Sequence, residues 1–102
     1  MKKLLGTGLA EFFGTLTLVC VVVGSGIMGT NLSNDAGVAL LINTVSTIFA
    51  LALLILILGP VSGAHFNPVV TLAMLASKRI SPVTVWAYIP AQILGAIVGA
   101  VL

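Results

Sequence analysis

Few side chains in this sequence could do chemistry. Two carboxylates (Glu11 and Asp35), one imidazole (His65), one thiol (Cys20) and the amides of Asn67 and Gln92 stand among mostly apolar neighbours. One His with one Cys offers no metal-ligand spacing, so neither a metal nor a cofactor is expected. Cys20 has no second cysteine to pair with and sits in an apolar run, where a thiol reads as a small hydrophobe. There is no phosphate-binding loop, no catalytic triad and no pair of carboxylates, and the chain is not expected to be an enzyme. What remains is a thin set of hydrogen-bonding groups. Glu11 matters most, because an ionisable side chain inside an apolar span is a candidate for function. Asn43, Ser46 and Thr47 form a short polar stripe, open to two readings: hydrogen bonds between helices, or the lining of a path.

The medium around these groups follows from composition. Of 102 residues, 60% are hydrophobic and 6% charged, against roughly 25% charged in soluble domains. Such a chain belongs in a lipid bilayer. The net charge of +2 rests on Lys2, Lys3, Lys78 and Arg79. Two adjacent pairs do not make the basic patch or stripe of a nucleic-acid surface.

Three stretches are long and apolar enough to span: 4–28, 37–58 and 80–102. The first resembles a secretory leader only at its start. Its apolar run exceeds the roughly 7–15 residues of a leader, and Glu11 interrupts it. Residues 29–35 read as a polar, turn-rich connector. Residues 59–77 are read as a re-entrant loop and half-helix. Pro60 and two glycines make 59–66 a poor helix. Asn67 then supplies an N-cap, and Pro68 suits the first helical position. A helix from there to Lys78 is about 15 Å long, half a hydrocarbon core of roughly 30 Å.

Charge gives the orientation. With Lys2 and Lys3 in the cytoplasm, Asp35 lies outside and the half-helix returns Lys78 and Arg79 to the cytoplasm. Four plain spans would export that pair. The expected fold is therefore an all-α membrane protein with three transmembrane helices and one re-entrant half-helix, forming a single membrane domain over 1–102. Ala10/Gly14 and Gly95/Gly99 have the spacing that lets helices approach closely in lipid.

Three segments resemble the major intrinsic protein family of aquaporins and glyceroporins. Ser62-Gly63-Ala64-His65-Phe66-Asn67-Pro68-Val69-Val70-Thr71 is similar to its first re-entrant signature. Ala10-Glu11-Phe12-Phe13-Gly14-Thr15 and Ala87-Tyr88-Ile89-Pro90-Ala91-Gln92-Ile93-Leu94-Gly95-Ala96 resemble its first- and third-helix motifs. The resemblance covers the N-terminal half of such a protein. It departs at Val69, where the family usually has Ala after Asn-Pro.

The resemblance implies a pathway lined by the carbonyls of Gly63, Ala64 and His65 and by Asn67, Pro68 and Val69. Asn67 can cap the half-helix through its oxygen and still offer its NH₂ to a solute. The helix N-terminus adds a partial positive charge that disfavours cations. The His65 side chain reads as a brace for the loop. Glu11 and Gln92 are implied to be structural braces, and Thr47 one residue of the outer constriction, wide because Thr is small. Trp86 and Tyr88 read as interface anchors or packing residues.

The leading expectation is passive transport of water or small uncharged solutes, such as glycerol or metalloid hydroxides, in the cell membrane. It calls for a second, inverted three-helix half, from the same parent chain or a separate one, and for a homotetramer of complete channels. Val69 would sit where the two half-helix tips meet. The alternative is a small four-span proton-coupled drug exporter using Glu11. A third reading is a non-conducting assembly subunit.

Overall fold

A computed structural model describes residues 2–102, the side chain of Lys2 excepted, so the placement of that side chain lies outside the described residues. It contains four helices and, among the described residues, no strand: α1 (Lys2–Leu32), α2 (Ala36–Ser62), α3 (Pro68–Ala76) and α4 (Pro82–Val101). α1, α2 and α4 are each long and apolar enough to cross a membrane.

α1 is the central element. It packs against α2 on one side and α4 on the other, α3 packs against α4, and α2 touches α4 at its C-terminus, where Ser62 meets Tyr88. Glycine permits the closest approach. A Cβ on Gly95 would run into the Phe12 carbonyl oxygen, and one on Gly99 into that of Leu16. These contacts advance along both helices in the same sense, so α1 and α4 run parallel.

Two helix ends differ from the sequence reading. α1 does not stop near Met28 but continues through Gly29-Thr30-Asn31 to Leu32, leaving only Ser33–Asp35 as connector. The reason is tertiary. Gly29 is buried against the backbone of Ala39 in α2, an approach that would be lost if the chain turned earlier. Likewise α2 runs past Gly59 and Pro60 to Ser62. Proline in a last turn forfeits one backbone bond without halting the helix. The stop falls at Gly63, which adopts φ 87° and returns its N–H to the Gly59 carbonyl at 2.7 Å. A left-handed glycine is the common helix terminator.

α3 has nine residues. Its C-terminus closes in a Schellman pattern: Arg79 N–H donates to Met74 O at 2.9 Å and Lys78 N–H to Leu75 O at 3.0 Å. Lys78 takes the left-handed position, at φ 59°. The tight turn sends α4 off beside α3. Lys3 of α1 and Arg79 of this turn line one cavity, so the start of α1 and the end of α3 share one end of the molecule.

Candidate functional site

The site forms where the α2–α3 loop meets α1 and α4. Glu11 lies at its centre, on α1, with no exposed surface. Its Oε2 accepts from the Ser62 hydroxyl at 2.6 Å and from the His65 N–H at 3.2 Å. Its Oε1 accepts from the Phe66 N–H at 2.8 Å and from Gln92 Nε2 at 2.7 Å. Four donors thus converge on the two oxygens. A carboxylate is an acceptor only, and the four supply what it needs in a water-poor interior.

A second set of bonds extends the cluster. Thr71, fully buried on α3, accepts from Gln92 Nε2 at 2.9 Å and lies 3.0 Å from His65 Nδ1. Because the Thr71 oxygen already accepts from Gln92, its own proton is available to Nδ1. The same oxygen keeps a second lone pair, so the direction of this bond follows the imidazole tautomer. Tyr88 donates its hydroxyl to the Ser62 carbonyl at 2.7 Å, and its ring meets His65 edge-on at 5.0 Å. Phe66 is buried over Gly14, where a Cβ would collide with its ring.

The loop geometry explains what is left over. Gly63, Ala64 and Phe66 all have positive φ, at 87°, 53° and 55°. For Ala and Phe this is a strained conformation, costing on the order of 1–3 kcal/mol, and it persists only where the surroundings over-determine it. The surroundings here are hydrogen bonds to every loop N–H from 63 to 66. Gly59 O, Ser62 Oγ and the two Glu11 oxygens accept them in turn. The carbonyls of Gly63, Ala64 and His65, by contrast, find no donor among the described residues. Asn67 caps α3 through Oδ1, which accepts from the Val69 N–H at 2.7 Å; its Nδ2 has no partner among the described residues. Pro68 takes the first turn of α3, and Val69 is 71% exposed.

The structure therefore brings Glu11, Gln92, His65 and the 63–69 backbone together. Thr47 is not joined to them by any hydrogen bond. Its hydroxyl is buried without a partner, one helical turn from Asn43, whose Nδ2 donates to Val22 O at 2.7 Å and Ser25 Oγ at 3.1 Å on α1. Thr15 Oγ1 and Gln92 Oε1 are also buried and unpartnered. Trp86 is 80% exposed. Tyr88, expected from the sequence as an anchor or packing residue, instead hydrogen-bonds the Ser62 carbonyl that ends α2. Its position four residues before Gln92 puts both on one face of α4, which was the available signal. Thr71 and Ser62 gave no signal of their own.

The sequence pattern of the major intrinsic protein family matches residues 1–102. The aquaglyceroporin AqpS of Rhizobium meliloti is 50% identical over 93 residues, covering 91% of this chain and 40% of that protein. Aquaporin-4 of Mus musculus is 38% identical over 91 residues, covering 89% of this chain and 28% of that protein. Aquaporin A of Dictyostelium discoideum is 41% identical over 91 residues, with 89% and 33% covered. This chain thus spans well under half the length of these relatives. No solved structure matches it. A match to the family pattern from the first residue to the last means that the chain belongs to the major intrinsic protein family.

Proposed function

We propose that this chain forms one half of a passive channel for water or small uncharged solutes such as glycerol or metalloid hydroxides. The observation that carries the reading is the one-sided satisfaction of the loop. All N–H groups of 63–66 are bound, while three successive carbonyls and the Asn67 amide are left for something else. Non-helical backbone at membrane depth is tolerated only when covered by protein or lining a wet cavity. Acceptors in a row, ending at a donor on a helix N-terminus, suit a neutral molecule that can both give and accept hydrogen bonds, and they disfavour a cation.

The name of the rhizobial relative, an aquaglyceroporin, favours solutes of glycerol size. A small Thr47 at the outer constriction agrees with that. Glu11 and Gln92 act as braces. The four donors around Glu11 leave the exporter reading without a free carboxyl to load. In this reading the spans are 4–28, 37–58 and 80–102, with 59–77 re-entrant, in the cell membrane. The N-terminus, Lys78 and Arg79 are cytoplasmic. A second, inverted three-helix half completes the path and brings its tip against Val69, and complete units form homotetramers.

The test uses this chain joined to the C-terminal remainder of the rhizobial relative, in proteoliposomes under an osmotic or glycerol gradient. Asn67→Asp keeps a cap but loses the NH₂ and adds a charge near the midplane, at about 2.5–3.5 kcal/mol or more on insertion scales. Asn67→Ala loses a cap at about 0.5–2 kcal/mol. Flux should fall most for Asp and less for Ala. Equal flux in all three would reduce Asn67 to a bystander.

A further inference from the structure

We propose that the cavity between the first turns of α1 and α4 binds the phosphate of an anionic phospholipid, with an acyl chain laid in the adjoining groove between the same helices. The cavity encloses about 500 Å³ and is lined by Lys3 and Thr7 of α1, Arg79 of the α3–α4 turn, and Ser81, Thr84 and Tyr88 at the start of α4. Two cations thus face one space, together with four small hydroxyls, counting Ser62 where the end of α2 closes one wall, and a phenol. Ser81 makes no side-chain cap to α4; its hydroxyl pairs with that of Thr84 at 3.1 Å.

The chain has no acid to offer these cations. It contains two carboxylates. Glu11 is enclosed by four donors of the loop cluster. Asp35 caps α2, accepting from Gly37 N–H at 2.8 Å and Val38 N–H at 3.2 Å. Among the described residues neither forms an ion pair, and Lys3 and Arg79 are both exposed, so the two cations are open to an anion from outside. A guanidinium fork and an ammonium together are well suited to phosphate oxygens.

A lipid is favoured over a free anion by the adjoining space. A groove of about 430 Å³ with apolar side chains along it runs between Leu5, Leu9 and Phe12 of α1 and Ala87, Ala91 and Leu94 of α4, and Leu4 lines both spaces. Residues 5 to 12 cover about 10 Å of helix. The groove therefore leads from the charged end into the depth that an acyl chain occupies. Basic pockets between helices at a membrane surface bind anionic headgroups, and each Lys or Arg near such a surface is worth about 1 kcal/mol, or about fivefold in retention.

The experiment is native mass spectrometry of the protein released from micelles containing equal amounts of phosphatidylglycerol and phosphatidylcholine. Preferential retention of phosphatidylglycerol by the unaltered protein is expected. Lys3→Gln and Arg79→Gln should each weaken it about fivefold and together about thirtyfold. Arg79→Lys should restore most of it. Lys78→Gln, outside the cavity, should leave it unchanged. Equal retention of the two lipids by the unaltered protein overturns the proposal without any variant. So does a Lys78→Gln effect as large as that of Arg79→Gln, which would mean diffuse charge. Displacement of the lipid by millimolar inorganic phosphate would assign the cavity to a free anion instead.

Discussion

Two of the short non-helical segments that join the helices are built on opposite principles. Ser33–Asp35 is satisfied by itself and its nearest neighbours. Asp35 caps the helix it begins, and Ser33 Oγ accepts from the Asp35 N–H at 3.1 Å. Gly63–Asn67 is satisfied from far away, by a carboxylate on α1 and, through Ser62 and His65, by Tyr88, Thr71 and Gln92. A segment that closes its own hydrogen bonds can lie in water in any position. One that borrows them from a buried carboxylate is fixed in place, and it can hold left-handed residues such as Ala64 and Phe66 there. The difference separates a connector from a device that presents backbone carbonyls.

The largest break in that contrast is expected from Glu11→Ala. It strands four donors, each at about 1–3 kcal/mol when buried and unmade, which together rival the roughly 5–15 kcal/mol of a whole domain. Size-exclusion chromatography in detergent should show little monodisperse protein. A stability equal to that of the unaltered chain would mean that Glu11 does not hold the loop. Next comes Thr71→Val, which keeps shape but removes the hydroxyl between His65 and Gln92. About 1–3 kcal/mol should be lost, with Thr71→Ser close to neutral, as read by thermal unfolding. If Val and Ser behave alike, the hydroxyl is dispensable. The smallest effect should come from Asp35→Ala, at about 0.5–2 kcal/mol for a lost cap. A Tm drop matching that of Thr71→Val or beyond would erase the distinction between the two segments.

How much of this could be read in the sequence depends on the range of the interactions. The α3 start was legible, because Asn67 as cap and Pro68 after it act within one turn. The apolar character of the long helices was legible from composition. The ends of α1 and α2 were not, because they are decided by contacts such as Gly29 on Ala39 and by a glycine at φ 87° beyond a tolerated proline. Glu11 stood out as a lone charge in an apolar run, but its partners lie 51 to 81 residues away, and no local pattern reports them. Tyr88 was masked by its type, since an aromatic near a span end commonly anchors at the interface. Its hydroxyl bond depends on where Ser62 ends α2.

In the proposed function this loop lines half of a path and needs an inverted counterpart to complete it. In the proposed topology an identical chain inserted upside down would export every basic residue, which favours a different segment as the counterpart. The most direct measurement is osmotic swelling of proteoliposomes that carry these 102 residues alone, beside liposomes that carry them joined to the C-terminal remainder of the rhizobial relative. Permeability equal to that of empty liposomes is expected for the first, and clear water or glycerol flux for the second. Robust flux from the 102 residues alone would contradict the proposed function.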